Sequence, residues 1–367
     1  MVKIEELLGE MIERGASDLF LKAGSPPHLR VDGVIAPMDY EPLTPQDTRR
    51  LSERMMTERQ IQIFDEISEM DLALGLSGVG RFRVNVFRQR GSVGMVLRHV
   101  SDPDFTFEDL NLPLAVKALA ERARGLVLVT GTTGSGKSTT LAAMLNHINN
   151  TSRRHIVTIE DPIEYLHRDN LSIINQREVG FDTQGFSEAL KHVLRQSPDV
   201  ILIGEMRDLE TIQTAISAAE TGHLVFSTLH TTDTVQTVER IINYFPSYLQ
   251  DQVRLQLALT LQGVLSQRLM PKAVGGGRVP AVEVLIATPI IRKLLHEGRT
   301  LELSGYIAQG RGDGMQTFNQ CLVDLYRAGL VKYEVAISYA TSPDEFRLAA
   351  EGLETGAGTA GSVYPTN

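Results

Sequence analysis

The octapeptide from residue 131 to residue 138 constrains this chain more than any other feature. It reads Gly-Thr-Thr-Gly-Ser-Gly-Lys-Ser, which fits the pattern G-x-x-x-x-G-K-[ST] of a phosphate-binding P-loop. An apolar run, Leu126 to Thr130, precedes it, and a helical run, Thr139 to Ile148, follows it. Because a P-loop joins a strand to a helix, this context predicts a nucleotide site in an α/β fold.

The residues of the octapeptide suit a triphosphate and its metal ion. Its glycines let several backbone N–H groups point at the phosphates, and the N-terminal end of the following helix attracts anions. Lys137 supplies a positive charge, and Ser138 supplies a hydroxyl for Mg²⁺. We therefore expect ATP and Mg²⁺ as ligands, with the nucleotide contacted by Thr132, Thr133, Gly134, Ser135, Gly136, Lys137, Ser138 and Thr139.

Composition limits the class of protein. A chain of 367 residues with 42% hydrophobic and 22% charged residues is typical of a soluble protein with two or three domains. No apolar stretch approaches the roughly 18 residues of a membrane span, and residues 1–14 are too charged for a secretory signal. The net charge of −9 gives no general basic surface for nucleic acid, and the single cysteine cannot build a four-cysteine zinc module. We expect a cytoplasmic protein with no direct membrane insertion and no nucleic-acid partner.

Residues 1–100 predict a separate α/β module. Its elements are an amphipathic helix containing Ile4, Leu7, Leu8, Met11 and Ile12, a strand over 17–23, a hairpin turning at Asp32-Gly33, a helix from Pro45 to about Glu66, and strands over 81–87 and 93–99. Turn residues over 101–113 then indicate an inter-domain linker.

Four Val/Ile/Leu-rich strands alternate with helical segments in the next part of the chain. Such a pattern predicts a buried, largely parallel sheet covered on both sides, which we expect over 114–287 as a RecA-like core. A helical region follows over 288–350. The tail, 351–367, is rich in Gly, Thr and Ala and is predicted to be disordered. The strands of the core are 126–130, 156–159, 200–203 and 224–228.

Alternation in the strand over 81–87 separates apolar from basic side chains. Arg81 and Arg83 share one face, and Arg98 on the following strand adds a third cation. Two interpretations are open: a solvated sheet face, or a set of cations presented to phosphate.

Residues directly after the core strands are candidates for chemistry, because parallel strands deliver their carboxyl ends to the edge where the P-loop lies. Glu160, Asp161 and Glu164 follow one strand, Glu205 follows another, and His230 follows a third. An apolar strand ending in an acid is the Walker B pattern, which holds Mg²⁺. The pattern alone leaves open which of the four acids supports the metal and which acts on water.

Five ordered motifs together resemble the type IV pilus retraction ATPases, the PilT/PilU family of the secretion-ATPase superfamily. The resemblance covers nearly the whole chain, and its motifs are the P-loop and residues 158–165, 176–180, 195–208 and 221–232.

The resemblance implies roles for individual residues. Glu164 would activate the attacking water, Glu205 would support Mg²⁺ together with Ser138, and His230 would monitor the γ-phosphate. His223 lies in the same histidine motif and would contribute to the nucleotide site. Further nucleotide contacts would come from Arg81, Arg83 and Arg98.

For the whole protein, the resemblance implies a PAS-like N-terminal domain, a RecA-like P-loop ATPase core and C-terminal helices. It implies a homohexameric motor that hydrolyses ATP to withdraw pili and so drives twitching motility. Its partners would be the pilus platform protein of the inner membrane, at whose inner face the motor would lie, and a paralogous retraction ATPase.

Three other functions are compatible with a P-loop. An ATPase for pilus assembly or type II secretion is the first, but such relatives usually carry a four-cysteine zinc element, which one cysteine cannot build. A nucleotide-binding regulatory subunit that does not hydrolyse ATP is the second. The third is a nucleic-acid translocase, whose binding would weaken steeply with salt.

Overall fold

The computed structural model describes residues 2–353, which divide into two compact units. Unit 1 is Met1–Asp102 with Ile163–Leu166, and unit 2 is Pro103–Pro162 with His167–Asn367. Most of the predicted disordered tail lies outside the described residues. None of the helices within 2–353 combines the length and the apolar character needed to cross a bilayer.

Unit 1 is an antiparallel sheet with helices. The strands follow the order β3-β2-β1-β6-β5-β4, and the buried face of the first helix joins the core of the unit. In chain order the elements are α1 Ile4–Glu13, β1 Asp18–Lys22, β2 His28–Val31, β3 Val34–Pro37, α2 Pro45–Met55, α3 Glu58–Ile67, β4 Glu69–Leu76, β5 Gly80–Gln89 and β6 Ser92–Val100.

Several sequence predictions for unit 1 are confirmed, and one is wrong. The hairpin turns at Asp32 and Gly33, which both have positive φ angles, 48° and 82°. The single helix predicted from Pro45 to about Glu66 is two helices. The break occurs because Met56 is extended and Thr57 begins a new helix with a capping box, in which its side chain accepts from the N–H of Gln60.

Unit 2 is built on a seven-stranded sheet in the order β13-β12-β7-β11-β10-β8-β9. All neighbours in this sheet are parallel except β12 and β13, which form an antiparallel pair. Its elements are α4 Leu114–Ala120, β7 Gly125–Thr130, α5 Lys137–Thr151, β8 His155–Glu160, β9 Ile173–Glu178, α6 Phe186–Val193, β10 Val200–Ile203, α7 Leu209–Glu220, β11 Leu224–Leu229, α8 Thr234–Asn243, α9 Gln250–Thr260, β12 Leu261–Pro271, β13 Arg278–Ile286, α10 Pro289–His296, α11 Leu303–Gln309, α12 Phe318–Arg327, α13 Tyr333–Tyr339 and α14 Pro343–Ala350.

The central strands of unit 2 are buried on both faces, as their continuous apolar runs predict. Every residue of β7, β10 and β11 is buried, and separate apolar clusters cover the two sides of the sheet. The register aligns Thr130 of β7 with Leu229 of β11, and Ile203 of β10 with Ile159 of β8. The carboxyl ends of these strands therefore meet at one edge.

His167 begins the return of the chain to unit 2 after Ile163–Leu166. Its backbone N–H donates to Oε1 of Gln176 at 2.8 Å, and burial lowers the pKa of its imidazole to about 4. The imidazole is therefore neutral in the folded protein at pH 7.

We expect this histidine to destabilise the fold in acid. The folded pKa of about 4 lies below the ordinary value of 6.5, so the stabilisation is complete above pH 6.5 and is lost as the pH falls towards 4. The loss is at most about 3 kcal/mol. The thermal midpoint of a His167→Gln variant should fall less between pH 7.5 and pH 5 than that of the unmodified protein, as measured by calorimetry. A His192→Gln variant, which changes an exposed histidine, is the control, and equal slopes for all three proteins would contradict the expectation.

Candidate nucleotide site

The P-loop joins β7 to α5, as its sequence predicts. Gly131 has a φ of 141°, and a Cβ added there would lie 2.5 Å from both the backbone oxygen of Gln267 and the Oγ of Ser135. Both the backbone angle and the space therefore require glycine. The loop is held closely against β12, because Gln267 also donates from Nε2 to Oγ1 of Thr140 in α5 at 2.7 Å.

The start of α5 has the features of a phosphate site. Gly136 is the N-cap and supplies no side-chain cap, which is typical of helix N-termini that bind anions. The buried Oγ of Ser135 has no hydrogen-bond partner among the described residues, and a buried hydroxyl of this kind is satisfied when a ligand accepts from it. Nζ of Lys137 donates to the backbone oxygens of Gly131 and Thr132 at 2.9 and 3.1 Å.

Glu205 and His230 lie together at the same edge of the sheet. They follow β10 and β11, and Oε1 of Glu205 is 3.3 Å from Nε2 of His230. The other carboxylate oxygen is 2.8 Å from Nη2 of Arg207. The Glu205 side chain is 18% exposed, so it is shielded from bulk water yet still reachable by a ligand.

Gly204 sets the position of Glu205 at the end of β10. Its N–H donates to the backbone oxygen of Ile159 at 2.8 Å, and a Cβ on Gly204 would lie 3.2 Å from that oxygen. Thr228 of β11 donates from Oγ1 to the backbone oxygen of Gly204 at 2.6 Å. These hydrogen bonds fix Gly204, and with it Glu205, between β8 and β11, the two neighbours of β10.

Glu160, the first of the three neighbouring acids, is the last residue of β8. Its Oε1 accepts from Oγ1 of Thr158 at 2.8 Å and from Nε2 of Gln176 at 3.1 Å. These two donors, from its own strand and from β9, give Glu160 fixed neighbours within the sheet.

Glu164 belongs to a short segment that packs with unit 1. Arg83 of β5 donates from Nε to the backbone oxygen of Ile163 at 3.0 Å, and the N–H of Leu166 donates to the oxygen of Ser101 at 3.1 Å. Arg83, one of the three predicted cations, therefore holds the segment that carries Glu164, the predicted general base.

The other predicted cations lie on the same sheet. Arg98 is the direct partner of Arg83 across β5 and β6, and its Nε donates to Oδ1 of Asp18 at 2.8 Å. Asp18 is 4% exposed and also pairs with Arg30 at 3.2 Å. The buried carboxylate lies between the guanidinium groups of Arg30 and Arg98, which come from the strands on either side of β1, and it offsets their mutual repulsion. Arg81 is two residues from Arg83 on the same face of β5.

His223 is not at the P-loop edge. It precedes β11, its backbone oxygen accepts from the N–H of Gly125 at 2.9 Å, and its Nδ1 is 2.9 Å from the oxygen of Ala218. His230 follows the other end of the strand, roughly 20 Å away. Within unit 2 the structure brings Glu205 and His230 together and leaves His223 apart, because a strand separates the two histidines of the motif.

A cleft of about 680 Å³ opens beside Glu205 and His230. Its lining comes from α8 and the residue after it, from the segment that follows β10, and from the end of β11 and the segment after it. The residues are Glu205, Met206, Arg207, Leu229, His230, Thr231, Gln236, Glu239, Arg240, Asn243 and Tyr244.

A magnesium ion that arrives with a nucleotide needs few protein ligands, because it keeps waters and binds phosphate oxygens. Ser138, in the first turn of α5, and Glu205 are oxygen donors at the edge where the P-loop lies. Within residues 2–353 no group of three or more His, Cys, Asp or Glu side chains could hold a metal by itself. These residues fit an ion shared with a phosphate ligand.

Sequence reasoning missed two contributors to this site. Arg207 stands in the motif of Glu205 and could have been proposed from its spacing. Gln267 lies more than a hundred residues from the P-loop that it contacts, and no local pattern marks it.

Comparison with known proteins agrees with this geometry. The model of the family "Type II/IV secretion system protein" matches residues 1–307. The chain is 48% identical to the "Type IV pilus retractation ATPase PilT" of Pseudomonas aeruginosa, over 94% of this chain and 99% of that one. It is 46% identical to the "Type IV pilus ATPase PilU" of the same organism, over 95% and 91%. A crystal structure described as "the Pilus Retraction Motor PilT and Bound ADP" superposes with a TM-score of 0.86, at 49% identity over 94% of this chain and 99% of that one. The chain belongs to the type II/IV secretion system protein family.

Proposed function

We propose that this protein is a Mg²⁺-dependent ATPase that works as a homohexamer to retract type IV pili and so drives twitching motility. One observation carries the proposal: a P-loop, a strand-end glutamate and a histidine lie at one edge of a largely parallel sheet, in a chain that matches PilT along 99% of the relative's length. The pilus platform protein and a paralogous retraction ATPase are the proposed partners. The proposed location is the cytoplasmic face of the inner membrane.

The nucleotide contacts follow from the P-loop. Backbone N–H groups of residues 132–139 and the Lys137 ammonium bind the β- and γ-phosphates, and Ser138 and Glu205 are the proposed ligands of Mg²⁺. The ion supplies positive charge that stabilises the oxygens of the transferring phosphoryl group. His230, which contacts Glu205 at 3.3 Å, is proposed to respond to the presence of the γ-phosphate.

Glu164 is the proposed general base. It accepts a proton from water as the water oxygen bonds to the γ-phosphorus and the bond to the β-γ bridging oxygen breaks, which yields ADP and phosphate. Arg81, Arg83 and Arg98 are proposed to contact the nucleotide. An arginine that reaches the transferring phosphoryl group can raise the rate of hydrolysis by about 10³ to 10⁵.

The domain boundaries form part of the same proposal. We take 1–100 as a PAS-like domain, 101–113 as a hinge, 114–287 as the RecA-like core and 288–350 as a helical region. Hydrolysis is proposed to change the conformation of the hinge. This conformational change is transmitted through the hexameric ring to the platform protein.

Lys137→Ala should abolish ATP hydrolysis. The substitution removes the cation that follows the P-loop glycines, and phosphate release from the purified protein measures the effect. Lys191→Ala, which removes an exposed lysine paired with Glu210, is the matched control. Full turnover by Lys137→Ala would rule out the proposed site.

Glu164→Gln should lower turnover by roughly 10² to 10⁴ while ATP binding is retained. The amide keeps the size of the side chain but cannot accept the proton from water. Phosphate release gives the turnover, and a fluorescent ATP analogue gives the affinity. Glu160→Gln tests the neighbouring acid, and a larger loss there than in Glu164→Gln would transfer the role of base to Glu160.

Deletion of the gene should leave cells with excess pili that do not retract. Electron microscopy counts the pili, and twitching on a surface reports retraction. Complementation with Lys137→Ala should fail where the unmodified gene succeeds. A loss of surface pili would instead favour the assembly or secretion ATPase, the alternative function.

A further inference from the structure

Glu283 is a half-buried charged side chain of unit 2 that the proposed mechanism does not use. It lies on β13 opposite Ser266 of β12, and burial raises the pKa of its carboxyl above the ordinary range. An acid in such surroundings is costly unless it is paired or hydrogen-bonded.

The carboxylate is hydrogen-bonded to the first residue of α8. Oε1 of Glu283 accepts from the N–H of Thr234 at 2.9 Å and from its Oγ1 at 2.8 Å, and Thr234 is fully buried. The helix already has an N-cap, because Asp233 accepts from the N–H of Gln236 at 2.8 Å. The second carboxylate therefore fixes where the helix begins, beyond what capping requires.

Only three residues separate Thr234 from His230. The loop between them is also held by Thr237, whose Oγ1 is 2.7 Å from Oγ1 of Thr231 and donates to the backbone oxygen of Asp233 at 2.7 Å. A helix that is fixed at its first turn thus fixes the loop that carries the histidine.

A chain of buried hydroxyls continues from this loop to the P-loop strand. Oγ1 of Thr237 is 3.4 Å from Oγ1 of Thr130, which is 2.8 Å from Oγ of Ser266. Thr130 is the last residue of β7, directly before Gly131. The loop of His230 and the start of the P-loop are consequently held to one another through side chains of α8 and β12.

Glu283, Thr234, Thr237, Thr130 and Ser266 form one polar cluster, and Arg268 connects this cluster to the C-terminal helices. The positive charge of Arg268 in β12 stabilises the charged form of Glu283. Its guanidinium lies 3.8 Å from the ring centre of Phe318 in α12, and it donates to the backbone oxygen of Tyr339 at the end of α13. The negative charge of Asp233, the N-cap of α8, opposes ionisation of Glu283.

We propose that Glu283 is a positioning residue for ATP hydrolysis, which holds the start of α8, and through it His230, in register with the P-loop. The inference rests on the proposed function, since it assigns His230 a part in turnover. It adds a residue that lies on β13, outside every motif, and whose hydrogen bonds go to the start of α8.

Glu283→Leu should lower kcat roughly tenfold or more and leave the affinity for ADP within about twofold. The substitution leaves the N–H and the hydroxyl of Thr234 without their acceptor, whereas the P-loop keeps its own contacts. Glu283→Gln should restore most of the turnover, since the amide oxygen can accept both bonds. Thr234→Val, which retains the N–H and loses the hydroxyl, should give an intermediate kcat. Phosphate release measures kcat, and a fluorescent ADP analogue measures affinity.

Ser342→Ala is the control for a lost helix cap, because Ser342 caps α14, which is outside the cluster. It should change the melting temperature and leave kcat unaltered. If Glu283→Leu does not fold, Thr234→Val decides the question. Unchanged kcat in Thr234→Val, or equal losses of kcat and ADP affinity in Glu283→Leu, would overturn the positioning role. An unmodified protein without turnover would instead refute the proposed function.

Discussion

The parallel register of β7, β11, β10 and β8 is the constraint on which the candidate site depends. Because these strands run in one direction and their ends are aligned, the residues that follow them are delivered to a common edge. The P-loop, Glu205 and His230 therefore meet although a hundred residues separate the first from the last. A short strand such as β10 suffices, since hydrogen bonds to Ile159 and Thr228 fix the glycine that ends it.

The parts of the structure that could be predicted from sequence are those in which local pattern and burial agree. The four central strands are rich in Val, Ile and Leu, and such strands have few alternatives to a buried parallel sheet. The hairpin at Asp32-Gly33 was equally predictable, because few residues adopt positive φ angles readily. Elements with mixed composition escaped prediction. Strand β9 reads Ile-Ile-Asn-Gln-Arg-Glu and lies at the edge of the sheet, and four of its six residues are polar.

The site was predictable only where a motif names its residues. Glu205 and His230 follow apolar strands and are in contact, as their positions suggested. His223 shows the limit of such reasoning, because a motif gives spacing along the chain, and six residues of extended strand place it at the opposite edge. Gln267, Ser266 and Glu283 contact residues that are distant in sequence. Their roles depend on how β12 and β13 pair beside β7, which no local pattern encodes.

A group of buried hydroxyl side chains lies around the start of α8 in unit 2. Thr130, Thr234, Thr237 and Ser266 are all fully buried, and apolar residues of similar volume would fill the same space without needing partners. A network of this kind stabilises one arrangement strongly only when every member is satisfied, and a displacement of α8 would break several of its bonds at once. Such a network favours a few discrete positions of α8 over a continuous range of positions. Under the proposed function, in which His230 responds to the γ-phosphate, this property would link the presence of that phosphate to a defined position of α8, and through Arg268 to the helices that follow.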